Sequence, residues 1–145
     1  MLITRRDAVM SFALLTELLA SGRLADAQTQ PAAAPSPNQV FKNDLPAVTM
    51  DGWEVTASHV AYAPGRVGAP HQHAGFVLVY VLEGTVIAKV TGQGEERTYT
   101  AGQMFYEQPG ATHEVSKNAS QTEPAKILAL IFAKKGATLT TPVGD

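Results

Sequence analysis

The 145-residue sequence contains no cysteine and carries little net charge. Without cysteine, disulfides, thiolate metal sites and a cysteine nucleophile are all excluded, which leaves histidine, carboxylates and hydroxyls for any chemistry. Charged residues make up 17% of the chain and the formal net charge is −2, so no basic surface is available to bind nucleic acid or an anionic membrane. The length suits one compact domain, and we expect its partner to be a small-molecule ligand or substrate, or a second copy of the chain.

Residues 1–27 have the pattern of an export signal. Arg5 and Arg6 precede a moderately apolar stretch, and an A-x-A tripeptide at 25–27 matches the site that a signal peptidase cleaves. The paired arginines resemble a twin-arginine signal, which implies a bacterial protein that is periplasmic or secreted. The alternatives are an amphipathic helix of the domain or a membrane anchor, but the stretch is shorter than the ~20 residues of a span, so no stable membrane insertion is expected after processing. Residues 28–39, rich in proline and alanine, predict a disordered linker.

From residue 40 onward the sequence is a series of short strand-like runs. Runs rich in β-branched and aromatic residues alternate with turns that contain glycine, proline, asparagine or aspartate, and no helical pattern is found. The most apolar runs are FVLVYVL, at 76–82, and AKILALIFA, at 125–133. Many short strands joined by glycine turns favour an antiparallel barrel or jelly roll over residues 40–136, followed by a C-terminal tail at 137–145. The predicted fold class is therefore all-β.

Two of the four histidines, His71 and His73, stand one residue apart just before the FVLVYVL run. Side chains two residues apart in a strand point to the same face, and Val77 shares their parity if no bulge intervenes. Burying two imidazoles on an inward face costs free energy unless their nitrogens find partners, and a divalent metal ion would be such a partner. The alternative is that both histidines are partly solvated at a barrel mouth and bonded to backbone or water.

The spacing of glycine and histidine resembles the two sequence motifs of the cupin family. The residues that match these motifs are Gly65, His71, His73, Gly84, Gly102, Gly110 and His113. The resemblance implies a double-stranded β-helix, which is the jelly-roll barrel of that family, and a divalent metal ion bound by His71, His73 and His113. It does not distinguish Fe, Mn, Ni, Cu and Zn. Cupins commonly pair through sheet faces, so the resemblance also makes a homodimer a candidate assembly.

The sequence departs from the cupin pattern where the family has its metal-binding glutamate. Val77 stands at that position, and valine cannot bind a metal. Gln108 and Lys117 replace the proline and the asparagine of the second motif, which affects turn geometry. Some cupins bind iron through three histidines without a carboxylate, and these include dioxygenases of thiols and diketones. The alternative is that Glu107 supplies a fourth ligand, although a solvated residue before the Pro-Gly turn is its simpler interpretation.

The resemblance implies a metalloenzyme that activates oxygen or a carbonyl group on a small organic molecule, either a dioxygenase-like enzyme or a related metalloenzyme, and the N-terminal signal adds that it is exported. The alternative is a cupin that binds a metal or a small ligand without turnover, because no obvious general acid or base accompanies the histidines apart from Glu107 and Tyr106. In a third hypothesis the metal is structural and the protein acts through dimerisation of its sheet. His59 has no partner by spacing and is expected to be an ordinary strand residue.

Overall fold

The computed structural model describes residues 37–144. The predicted export signal at 1–27 and most of the predicted linker lie outside the described residues and stay predictions. Between residues 37 and 52 the chain forms no strand, and apolar side chains such as Leu45, which is 67% exposed, face solvent. In the described part of the chain, no helix has the length and apolar character needed to cross a membrane.

The described residues form ten strands and no helix. In chain order the strands are β1 Trp53–Tyr62, β2 Val67–Gly68, β3 His71–His73, β4 Phe76–Glu83, β5 Thr85–Val90, β6 Arg97–Thr100, β7 Met104–Glu107, β8 Thr112–Asn118, β9 Ala125–Lys134 and β10 Thr140–Pro142. The longer strands coincide with the runs that the sequence predicts. The all-β prediction is confirmed.

Two antiparallel sheets enclose one apolar core. The smaller sheet has the order β1-β9-β4-β7, and the larger has the order β10-β3-β8-β5-β6 with β2 paired to β8. Buried and half-buried residues alternate along the strands, so Val77, Val79 and Val81 of β4 point into the core with almost no exposed surface. They pack with Phe105 of β7 and Val86 of β5, which joins the two sheets through apolar contacts. This sandwich of two sheets is the predicted jelly roll.

Gly75 allows the chain to pass from one sheet to the other between β3 and β4. A Cβ atom at this position would lie 1.9 Å from the carbonyl oxygen of Phe132 and 2.8 Å from Cζ3 of Trp53, so only glycine fits. The predicted parity of His73 and Val77 assumes one continuous strand. The structure instead places the two residues in different sheets, because the chain bends between them.

β10 lies in the segment that the sequence assigns to a C-terminal tail. It pairs antiparallel with β3, with Thr140 opposite His73 and Pro142 opposite His71. The strand has only three residues, and all of them are exposed, so no alternating apolar pattern distinguishes it from a tail. The larger sheet therefore extends beyond residue 136 and ends in a strand that flanks the two histidines.

The outward face of the smaller sheet is largely apolar. Leu128, Leu130 and Phe132 of β9 and Leu78 and Tyr80 of β4 point outward and are half-buried. None of the ten strands packs over this face, since the larger sheet lies on the opposite side. The homodimer stays a prediction, and exposed apolar faces of this kind are common at protein–protein interfaces.

Candidate metal centre

The three histidines that the sequence singles out form one cluster on the larger sheet. His71 of β3 and His113 of β8 are cross-strand partners, although they are far apart in the sequence. The ring centroid of His71 lies 4.9 Å from that of His73 and 5.0 Å from that of His113. His71 and His73 are half-buried and His113 is 3% exposed, so the cluster extends from the barrel mouth into the interior.

Glu107 is buried beside two of these histidines. It ends β7 on the smaller sheet and is only 5% exposed. Its carboxylate lies 3.2 Å from Nδ1 of His113 and 3.6 Å from Nε2 of His73. The interpretation of Glu107 as a solvated turn residue is wrong, because it shares the inward parity of Phe105 and finds polar partners across the interior.

Val77, which occupies the glutamate position of the cupin pattern, is the cross-strand partner of Glu107. Its side chain is fully buried in the apolar core. Directly paired residues of neighbouring strands project from the same face of a sheet, so Glu107 enters the interior next to the usual place of the carboxylate. The sequence could have indicated this placement only through the register of β4 against β7.

Hydrogen bonds to carbonyl groups determine which ring nitrogen of two histidines carries the proton. Nδ1 of His71 lies 2.9 Å from the oxygen of Ala69, and Nδ1 of His73 lies 3.0 Å from the oxygen of Leu139. A carbonyl oxygen only accepts hydrogen bonds, so each Nδ1 is the donor, and in the neutral form of either ring the lone pair is on Nε2. Nε2 of His73 lies 3.6 Å from the carboxylate of Glu107. Thr140 adds a hydroxyl oxygen 3.1 Å from Nδ1 of His73. This is the arrangement in which histidines bind metals through Nε2.

His113 has one satisfied nitrogen and one without a partner. Its Nδ1 faces the carboxylate of Glu107, which accepts a hydrogen bond from it. Its Nε2 is buried and has no hydrogen-bond partner among the described residues. A buried polar atom without a partner is uncommon and costs free energy, so a ligand for this nitrogen would stabilise the site.

The donor types of the cluster fit a divalent ion, but the cluster is not closed around one. Burial lowers the pKa of His71, and the hydrogen bond to Ala69 opposes this only in part, so the neutral, metal-binding form is favoured. As the side chains stand, no group of three or more histidine, aspartate or glutamate residues among residues 37–144 is arranged to hold a metal ion. Binding therefore requires local movement of side chains within the cluster.

A cavity of about 440 Å³ opens beside the histidines. Val60, Ile127 and Leu139 contribute apolar walls, and Tyr62 and Arg66 contribute polar groups. Small-molecule sites typically have volumes of about 300–1,000 Å³ and a few polar groups on apolar walls. The cavity therefore has the size and composition expected for a small organic ligand.

Comparison with known proteins identifies the family. The family model of the cupin domain matches residues 58–131, which include His71, His73 and His113. This chain belongs to the cupin family. The cupin is 30% identical over 80 residues to the beta-alanine degradation protein BauB of Pseudomonas aeruginosa, and the match covers 54% of this chain and 83% of that protein.

Solved structures share the fold of this cupin. The DMSP lyase DddQ from Ruegeria pomeroyi DSS-3 is 20% identical with a TM-score of 0.53, and the match covers 63% of this cupin and 45% of that chain. The oxalate decarboxylase of Bacillus subtilis, described with Mn(II) centres, is 22% identical with a TM-score of 0.50, and the match covers 61% of this cupin and 24% of that chain. This cupin spans less than half the length of either protein, and the likeness is one of fold.

Proposed function

We propose that His71, His73 and His113 bind a divalent metal ion and that Glu107 supplies a carboxylate to the same centre. The observation that carries this proposal is the buried Nε2 of His113, which lacks a partner while the Nδ1 atoms of the other two histidines are already engaged. Three neutral imidazoles and a carboxylate suit Fe, Mn, Ni, Cu or Zn. The Mn(II) centres of the oxalate decarboxylase support an ion in this fold.

The proposed activity is that of a metalloenzyme acting on a small organic molecule in the cavity. A bound ion would supply Lewis-acid or redox chemistry there. The carbonyl groups of Ala69 and Leu139 hold two imidazoles in the metal-binding tautomer, and the apolar walls keep water from the body of the substrate. Oxygen uptake during turnover would identify the dioxygenase type. The three-histidine dioxygenases that the sequence resembles have no carboxylate ligand, whereas the carboxylate of Glu107 lies beside His73 and His113 in this cupin.

A second candidate function is the binding of a metal or a small ligand without turnover. It is favoured by the composition of the cavity, because the described lining contains no aspartate, glutamate or lysine and its three histidines are the proposed metal ligands, which leaves Tyr62 as its only other ordinary proton-transfer group. Metal analysis of the purified protein tests the metal centre. One equivalent of a divalent ion is expected, and a protein that takes up none from Fe(II), Mn(II), Ni(II), Cu(II) or Zn(II) would exclude the metalloenzyme and leave a cupin that binds only a small ligand.

Replacing Glu107 by glutamine tests the carboxylate. Glu107→Gln keeps the shape of the side chain and removes its charge, so metal affinity is expected to fall by about 10- to 100-fold, as measured by competition with a chelator. Glu114→Gln is the matched control, because Glu114 pairs with Lys89 at 2.9 Å on the outside of β8. Equal affinities of the wild type and Glu107→Gln would exclude Glu107 from the centre.

A double variant tests the position of the carboxylate. Val77→Glu/Glu107→Val moves the carboxylate across the strand pair to the place at which the cupin pattern has it. It is expected to bind the metal more tightly than Glu107→Val alone. No difference between these two variants, both folded by circular dichroism, would mean that position 77 does not face the ion.

We propose that the protein is exported and processed after residue 27. The support is the pair Arg5 and Arg6 together with the A-x-A tripeptide. In a bacterium with a twin-arginine pathway, mass spectrometry of the exported protein should show a chain that begins at Gln28, and replacing both arginines by lysine should retain the protein in the cytoplasm. Recovery of the exported protein with Met1 intact would contradict cleavage.

A further inference from the structure

We propose that the cavity beside the histidines binds a small monocarboxylate, with the carboxylate on Arg66 and the apolar body of the ligand against Val60 and Ile127. This names the ligand class of the site described above and, in that respect, rests on the proposed function. Four features of the cavity support this ligand: the charge of its wall, the fixed position of Arg66, an unused hydroxyl proton and the apolar character of the remaining wall.

The described lining of the cavity contains one arginine and no acidic residue, and the carboxylate of Glu107 lies behind two of its histidines. Arg66 is the only arginine or lysine among the described residues that line the cavity, and no aspartate or glutamate is among them. The ion pairs of the described residues involve Glu96, Glu107 and Glu114, and none of them reaches Arg66. An unpaired guanidinium at a mostly apolar cavity favours an anionic ligand.

Arg66 is held in place although it is exposed. One Nη1 hydrogen is donated to the carbonyl oxygen of Ala61 at 2.6 Å, and the guanidinium carbon lies 4.8 Å from the centre of the Tyr62 ring. A guanidinium has five N–H donors, so most of its planar fork remains available for a second partner. Contact with the aromatic ring reduces the entropy that Arg66 would lose when it binds a carboxylate through two hydrogen bonds.

The hydroxyl groups of Tyr62 and Ser116 offer a further donor in the same cavity. The two oxygens lie 2.7 Å apart, and both residues are 5% exposed. The two hydroxyl groups have two protons, and the hydrogen bond between them uses one. Among the described residues, no other side-chain or loop acceptor takes the second proton. Burial raises the pKa of Tyr62, so the phenol keeps its proton and can donate to a carboxylate oxygen.

The rest of the wall determines which anion fits. Ile131 and Leu139 continue the apolar surface formed by Val60 and Ile127. The second charged group of a dicarboxylate would lose hydration against these apolar side chains, and the described lining has no second arginine or lysine to offset that loss. A monocarboxylate with a short apolar body satisfies Arg66, the hydroxyl pair and the apolar wall together.

Binding of butyrate and of butyramide tests the proposal, because the two molecules have nearly the same shape and differ in charge. NMR titrations use the metal-free protein and the Zn(II)-loaded protein. Butyrate is expected to bind both forms about 10- to 100-fold more tightly than butyramide, and Arg66→Gln should abolish this preference. Arg66→Lys should retain part of it, and Arg97→Gln, which alters an exposed arginine of β6 outside the cavity, should leave it unchanged.

Two outcomes would overturn the proposal. The first is equal affinity for butyrate and butyramide in the wild type. The second is binding of butyrate only to the Zn(II)-loaded protein with no effect of Arg66→Gln, because the carboxylate would then bind the ion. Arg66→Gln should fold because Arg66 is exposed, and circular dichroism checks this. If the protein took up no metal while Arg66-dependent binding of butyrate persisted, the metal centre would fail and the carboxylate site would stand.

Discussion

Removal of any one of the three clustered histidines is expected to lower the affinity for a divalent metal ion by about 100-fold or more. Loss of a residue that only orients a metal ligand typically costs about 10- to 100-fold, and the loss of the ligand itself costs at least as much. The variants are His71→Ala, His73→Ala and His113→Ala. Metal content after dialysis, measured by mass spectrometry of the element, gives the occupancy of each variant.

His59→Ala is the control for these three variants. His59 lies on β1 and is exposed, so its removal should leave occupancy and thermal stability unchanged. If each of the three cluster variants kept full occupancy and the melting temperature of the loaded wild type, the metal centre would be excluded. The histidines would then serve only as hydrogen-bonding groups at the barrel mouth.

Gly75→Ala is expected to destabilise the protein by about 4 kcal/mol or more. The new Cβ atom would lie 1.9 Å from the backbone oxygen of Phe132, which cannot rotate away as the end of a side chain can. Either β9 must shift or the bend between β3 and β4 must open, and the second change would displace the neighbouring histidines. The free energy of unfolding in urea measures the effect.

Alanine variants of two further glycines are controls that distinguish the steric clash at Gly75 from the other effects of replacing glycine by alanine. Gly144→Ala adds the same methyl group where no atom lies within 4 Å, so almost no change is expected. Gly52→Ala also meets no atom but has a φ of +70°, so it should cost about 1–2 kcal/mol through the backbone alone. If Gly75→Ala lowered the free energy of unfolding by less than about 1 kcal/mol, β9 would be able to shift at little cost.

The histidine cluster can be predicted from the sequence because it depends on the spacing of residues within a known motif. Two histidines one residue apart and His113 after a Pro-Gly turn match a known pattern, and the structure brings the three rings together. The sheets are predictable for a similar reason, since runs such as 76–82 and 125–133 are long and apolar. These features depend on local patterns, which one sequence displays directly.

Features that depend on strand register could not be predicted in the same way. Glu107 precedes a turn, where a solvated carboxylate is the ordinary expectation, and only its pairing with Val77 places it inside. β10 is too short to show a pattern, and its role comes from its position beside His73. Arg66 stands in a turn segment like many surface arginines, and its place at the cavity becomes visible only when Tyr62 is positioned beneath it.

The histidine cluster and Glu107 belong to opposite layers of the sandwich, with the three imidazoles on the larger sheet and the carboxylate on the smaller one. An ion bound to both would be a cross-link through the interior. Transient separation of the layers would then require breaking a coordination bond as well as apolar contacts, so amide protons of β7 and β8 should exchange with solvent more slowly in the loaded protein. Metal binding would thus make the barrel more rigid, and the two sheets would separate transiently more often in the metal-free protein.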